Sequence, residues 1–264
     1  MAHNPWLVFA GVCQQNSSLD PECVDESLHQ NIRIIRIDHR EARGPCYARY
    51  LCSTLYGGEE FYLQIDSHTQ FVPGWDSILK SMIAQLPPRS VLSHYPQPFD
   101  PQDPDSAGRR GTVPSNCRSE ESAEGVPAFR AVELPERPEP RPTNGIAGGM
   151  LFAPGEALLE TPLDPSLDFL FTGEEVLYGA RLYTRGWDIY SPSRNVMYHY
   201  YQREDSPKFW DEPSIRQRRK QLHEDPTEKV KRVLGLGDSV PILGKYGLGW
   251  SRPVSRYLEG LNSC

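Results

Sequence analysis

The sequence carries no excess of positive charge, no long apolar run and no paired-cysteine motif. The formal net charge is -7 over 264 residues, which excludes a general nucleic-acid binder. The basic cluster "IRQRRKQ" at 215–221 reads as a solvated helix face rather than a phosphate-binding patch. No apolar stretch approaches the roughly 20 residues of a membrane span. The opening "MAHNPWLVFAGVC" has no basic n-region, and its apolar run soon meets Gln14-Gln15-Asn16, so it reads as a strand rather than a signal peptide. The six cysteines form no C-x-x-C pair and show no regular spacing, so a reduced, cytoplasmic compartment is expected. Asn16-Ser17-Ser18 is a single glycosylation triplet of the kind chance supplies. There is no internal repeat.

What the chain does have is an ordinary soluble composition, 38 % hydrophobic and 24 % charged. "WLVFAGVC" (6–13), "IRIIRID" (32–38), "FYLQID" (61–66) and "SVLSHY" (90–95) predict strands by length and β-rich content. Between them Gly44-Pro45 opens a helix, since proline suits a first turn whose N–H is unpaired anyway. That helix is expected to run through "CYARYLCSTLYGG" to the stop at Gly57-Gly58. "WDSILKSMIAQL" (75–86) places Ile78, Leu79, Met82, Ile83 and Leu86 on one face, and Pro87-Pro88 ends it. From 96 to 142 prolines, acids, serine and glycine dominate. This reads as a long excursion with little to bury and one short strand near 129–134, a place for a lid or an acceptor contact. Order returns with "NGIAGGMLFAPGEAL" (144–158), then a helix from Gly173 to Gly186 with Glu174 and Glu175 in its first turn, where acids suit the helix dipole. "WDIYSP" and "NVMYHYYQR" are short strands. Residues 211–264 look helical and peripheral.

Strands alternating with helices predict an α/β protein with a Rossmann-like, mostly parallel sheet and helices on both faces. The expected division is a catalytic domain over 1–203, interrupted by the excursion at 96–142, and a C-terminal helical extension over 204–264 packed on it. In such sheets ligands bind at the carboxyl ends of strands, and Asp66-Ser67-His68 lies at one of them. One carboxylate and one imidazole in a tight turn suit Mn²⁺ or Zn²⁺ better than Ca²⁺. The triplet alone reads more readily as a turn capped by Asp66, with His68 a partly buried bystander. Arg43 and Arg49 flank "GPCYAR", where arginine suits bidentate phosphate binding or a plain surface ion pair. Gly148-Gly149 allows close approach of backbone to a ligand or marks a bulge. Glu174 or Glu175 can take a sugar hydroxyl or simply stabilise the helix start. His199, in an aromatic strand, is by itself more often a core histidine than a ligand.

In order along the chain, "GPCYAR", "FYLQIDSHTQFVPGWD", "GGMLFAPGEAL", "FLFTGEEVLYGARLYTRGWDIYSP", "YHYYQR" and "KYGLGWSRPVSRYLEG" resemble the GlcNAc-transferase family that modifies hydroxyproline on a cytoplasmic protein. The resemblance covers nearly the whole chain from about Trp6. The same order is similar, more weakly, to the polypeptide GalNAc-transferases. The resemblance implies a GT-A glycosyltransferase fold and a divalent metal, expected to be Mn²⁺. It implies transfer of GlcNAc from UDP-GlcNAc to a hydroxyl on a protein acceptor, with hydroxyproline the expected one. By similarity Asp66, His68 and His199 are the metal ligands. Arg49, with Arg43 nearby, serves the diphosphate, and Gly148 and Gly149 line the donor sugar. Glu174 is the acid near that sugar, with Glu175 the second candidate. The family retains anomeric configuration, which implies front-face attack by the acceptor hydroxyl, its proton going to the leaving phosphate. The family's usual first strand, with an Ile-x-x-Ser-Tyr-Arg-Asp-like motif, is not found before Trp6; the expected explanation is that this segment lies upstream of a shortened chain, the other being a short paralogue whose uridine end lacks the strand. The other reading is a catalytically impaired, glycosyltransferase-like binding module.

Overall fold

The computed structural model of the chain describes residues 10–14, 32–102, 111–202, 213–222 and 224–264. The chain opens with β1 (Ala10–Gln14) and β2 (Ile32–Arg36), then α1 (Pro45–Ser53), β3 (Phe61–Ile65), β4 (Thr69–Phe71) and α2 (Trp75–Ile83). Next come β5 (Ser90–Ser93), β6 (Gln97–Pro98), β7 (Thr112–Glu121), β8 (Pro127–Pro135), β9 (Arg141–Pro142) and β10 (Met150–Pro154). It continues with α3 (Gly155–Glu160), α4 (Glu174–Thr184), β11 (Asp188–Ser191), β12 (Met197–His199), α5 (Pro213–Lys220), α6 (Pro226–Leu234) and α7 (Val254–Glu259).

The central sheet has five strands in the order β3-β10-β5-β11-β9. It is mixed rather than mostly parallel. β3, β5 and β11 run the same way, but β10 is inserted antiparallel between β3 and β5, and β9 is antiparallel to β11. The reason is connectivity: the segment after "GIAGG" must reverse before it enters β10, so its apolar run serves a returning strand. Successive residues of β10 face opposite sides, as strand geometry requires. Met150 and Phe152 join Leu79, Met82, Ile83 and Leu92 under α2, while Leu151 and Ala153 face Val91, Leu177, Ala180 and Leu182 of the α4 side. Helices therefore cover both faces. Each fully buried leucine here, such as Leu79 or Leu182, contributes about 1.5–3 kcal/mol. β4, β12 and β6 form a separate three-stranded ribbon beside the sheet, and β1 pairs in parallel with β2.

Several expectations change. The first helix ends at Ser53 rather than reaching Gly57-Gly58, because Thr54 and the next two residues already close in tighter turns onto Tyr50, Leu51, Cys52 and Ser53. The excursion holds a ten-residue strand paired with a nine-residue one, β7 with β8. Its few apolar residues are spent inward, with Val113, Cys117, Val126 and Phe129 all buried, so low average hydrophobicity concealed a one-sided hairpin. The C-terminal region is not peripheral: Val230, Val233 and Leu234 of α6, Tyr257 of α7 and Leu261 belong to the main core cluster. The cysteines are not all reduced, since Cys117 and Cys264 form a disulfide across a separation of 147 residues. Disulfides persist in oxidising compartments, so the premise for a cytoplasmic location falls. Among the described residues no helix is long and apolar enough to cross a membrane. Of the strand expected at 6–13, the part from Ala10 is seen in β1; residues 6–9 and the region before Trp6 lie outside the described residues.

Candidate functional site

α4 begins at Gly173, whose φ of 95° lies in the left-handed region that glycine adopts without strain. The turn aims Glu174 and Glu175 back over the sheet. Glu174 meets Arg49, which reaches across from the first helix. The same guanidinium donates to Asp66 at the end of β3 at 2.7 Å. Arg49 is thus held between two carboxylates, and its side chain is only 15 % exposed. Burial alone would pull the guanidinium down; Glu174 and Asp66 reverse that and hold it above the ordinary arginine value.

The Gly148-Gly149 segment lies against this ion triad. A Cβ on Gly148 would stand 2.8–3.0 Å from the Arg49 guanidinium, and one on Gly149 would stand 3.2 Å from an Asp66 oxygen. Only glycine admits the backbone that close. The segment is pinned on every side. Gln64 Nε2 donates to the Gly148 carbonyl at 2.9 Å. The Gly148 N–H donates to Glu175 at 2.7 Å. Ser93 Oγ accepts from the Ala147 N–H at 2.8 Å and donates to the Met150 carbonyl. Glu175 also accepts from the Tyr95 hydroxyl. Burial pushes the Glu175 carboxyl up to about 7, against the two hydrogen bonds that favour its ionised form.

Asp66, Arg49, Gly148, Gly149, Glu174 and Glu175 are therefore brought together. Arg43 lies elsewhere: it bonds Asp168 and stacks over the Tyr47 ring at 4.1 Å. His68, at φ 64°, shares a contact of 2.9 Å with Ser67 through Nδ1. His199 is buried on β12, which pairs with β4 so that His199 faces Thr69, and its ring centroid is 6.5 Å from that of His68. The donor types, one carboxylate and two imidazoles, fit a borderline divalent ion. Their placement is not yet that of a ligand set. Among the described residues no group of three or more His, Cys, Asp and Glu stands close enough to hold a metal, and Arg49 already occupies Asp66.

Sequence reasoning missed Gln64, Ser93, Tyr95 and Asn116. Gln64 and Ser93 had a visible signal, being polar residues inside apolar strand runs. Tyr95 and Asn116 had none, because their partners lie 80 and 21 residues away.

A family model described as Glycosyltransferase (GlcNAc) matches residues 25–261. No curated protein matches the chain. Among solved structures it is similar to the "Crystal structure of GalNAc-T7 with UDP, GalNAc and Mn2+", with a TM-score of 0.55 and 16 % identity. The match covers 82 % of this chain and 40 % of that one. The chain thus spans about two-fifths of that protein's length, and the likeness is one of fold.

Proposed function

The chain belongs to the GlcNAc glycosyltransferase family and has the GT-A fold, and from that premise we propose that it moves GlcNAc from UDP-GlcNAc to a hydroxyl on a protein, hydroxyproline being the expected acceptor. The observation that carries this reading is Arg49, a mostly shielded cation pressed on the Gly148 backbone and shared by Asp66 and Glu174. A nucleotide diphosphate is a poor leaving group until its charge is met. Arg49 is the cation in place to meet it, with the glycine backbone beside it for the sugar. Asp66, His68 and His199 would hold a divalent ion, Mn²⁺ by similarity, which supplies Lewis-acid charge to the diphosphate when bound. Asp66 would exchange Arg49 for that ion, leaving Arg49 to the phosphates. Glu174, still paired with Arg49 through one oxygen, would accept a sugar hydroxyl on its remaining lone pairs. The acceptor oxygen attacks the anomeric carbon on the face the leaving group departs from, and its proton passes to the departing phosphate oxygen.

A second reading has one observation behind it. The unconverged metal ligands and the occupied Asp66 also suit an impaired, transferase-like binding module. One experiment separates the two. The folded chain is incubated with UDP-GlcNAc and Mn²⁺ and with paired peptides carrying hydroxyproline or proline, and products are read by mass spectrometry. Transfer of one N-acetylhexosamine to the hydroxyproline peptide alone supports the enzyme. No transfer and no UDP-dependent rise in melting temperature supports the module.

A further inference from the structure

Glu175 does not face the same space as Glu174. Its carboxylate is turned to the Gly148 N–H at 2.7 Å and to the Tyr95 hydroxyl. Tyr95 is in turn fixed from the hairpin: its backbone N–H donates to Asn116 Oδ1 at 3.3 Å. The Asn116 carbonyl accepts from the Thr143 hydroxyl at 3.2 Å, two residues before Gly145. Three separate segments, the end of β5, the bulged middle of β7 and the first turn of α4, thereby meet at one backbone amide. That amide belongs to the glycine pair lying on Arg49 and Asp66.

We propose that Tyr95 and Glu175 are positioning residues that hold the Gly148 amide, and with it the Gly148-Gly149 backbone, where the sugar end of the donor binds. The proposal rests on the transferase reading for the identity of that donor, but the Tyr95–Glu175–Gly148 link does not depend on it. It reassigns Glu175, a candidate catalytic acid by sequence, to the scaffold under the glycines. It also gives the excursion a role, since Asn116 on β7 sets the backbone of Tyr95. A carboxylate suits this place because it accepts two donors at once, and a tyrosine hydroxyl supplies the second donor without bringing water. The titratable and charged groups acting on Glu175 are Tyr95 at the end of β5, Arg49 of α1, Glu174 of α4, Tyr201 after β12 and Tyr257 of α7. Of these, the one hydrogen-bonded to it is Tyr95.

The test uses Tyr95→Phe and Glu175→Gln, both near-isosteric, in the full chain. The first readout is the Gly148 amide in ¹⁵N-glycine-labelled protein, assigned by its loss in Gly148→Ala. In the unsubstituted chain its shift follows the Glu175 titration. Tyr95→Phe removes a donor to the ionised form and moves the midpoint up by roughly one pH unit; Glu175→Gln abolishes the titration. An amide that does not titrate, or a midpoint unmoved in Tyr95→Phe, overturns the link. The second readout is calorimetric binding of UDP and of UDP-GlcNAc. Tyr95→Phe weakens UDP-GlcNAc by about tenfold and leaves UDP unchanged, whereas general destabilisation weakens both equally. Equal loss, or none, overturns the positioning role. If the unsubstituted chain binds neither ligand, the transferase reading fails, the sugar-end role fails with it, and the amide titration still decides the link.

Discussion

Reduction of the Cys117–Cys264 bond is expected to cost this chain a large part of its stability. The bond closes a loop with a sequence separation of 147 residues. Chain-entropy arithmetic for a loop that long gives about 17 cal/mol/K, or about 5 kcal/mol at 25 °C, removed from the unfolded ensemble. The native side is expected to lose little on reduction, because Tyr257 and Leu261 anchor the C-terminal segment in the core through their own packing. The change therefore falls on the unfolded state. For a domain of this size about 5 kcal/mol corresponds to a fall in melting temperature of roughly 10–20 °C. Differential scanning calorimetry with and without a dithiol reductant measures it. Cys264→Ser, read without reductant, separates loss of this link from other effects of the reagent. Peptide mapping under non-reducing conditions should recover Cys117 joined to Cys264. A melting temperature unchanged by both reduction and Cys264→Ser, or a map in which Cys117 is free, would refute the reasoning and restore the reduced reading of the cysteines.

Arg49→Met leaves Glu174, a carboxylate only 14 % exposed, without its partner, and should cost about 3 kcal/mol in denaturant unfolding along with binding of UDP; Arg49→Lys should recover part of the stability. Gly148→Ala sets a Cβ against a guanidinium anchored by two carboxylates and unable to retreat, which should cost about 1–3 kcal/mol in chemical denaturation and weaken UDP-GlcNAc binding. His94 is fully buried, and among the described residues neither ring nitrogen has a hydrogen-bond partner; His94→Leu should stabilise the fold by about 1 kcal/mol, read by the denaturant midpoint. Burial sends two groups in opposite directions, Glu175 up to about 7 and His94 down to about 4. Glu175 contributes stability that is full below its ordinary carboxylate pKa and is lost as pH rises through about 7. His94 contributes stability that is present above the ordinary histidine pKa and is lost as pH falls toward about 4. The two offset between about pH 4.5 and 6.5, so Glu175→Gln should leave stability rising with pH there and His94→Leu should leave it falling. Equal slopes in both variants would contradict the assignment.

Much of the candidate site was legible because its pieces are local. Asp66 ends an apolar run, Gly173 precedes two acids, and Gly148-Gly149 interrupts a strand approach, so each announces itself within a few residues. What held the pieces together was not legible. The Arg49–Glu174 pair spans 125 residues and the Gln64–Gly148 bond spans 84, and no periodicity encodes such contacts. Strands alternating with helices predict a mostly parallel sheet, but β10 returns antiparallel between β3 and β5, and neither alternation nor composition states a strand's direction. The hairpin was underestimated because its outward residues, among them Arg118, Glu120 and Glu121, outweigh the inward Val113 and Cys117 in any average. Arg181 of α4 shows the same limit. It is fully buried, donating to the carbonyls of Pro162, Lys245 and Gly247. In the sequence it is one more exposed-looking arginine on a helix.

The proposed function requires that a nucleotide sugar be bound and cleaved at Arg49 and the glycine pair. The most direct measurement is UDP liberated from UDP-GlcNAc by the folded chain with Mn²⁺ supplied, beside the same assay on Arg49→Met shown to be folded by calorimetry. Release is expected to need the metal and to fall at least about tenfold in Arg49→Met, the scale of one lost charge contact in the transition state. Release that is the same in both proteins, or none from a folded chain whose melting temperature ignores UDP and UDP-GlcNAc, would contradict it.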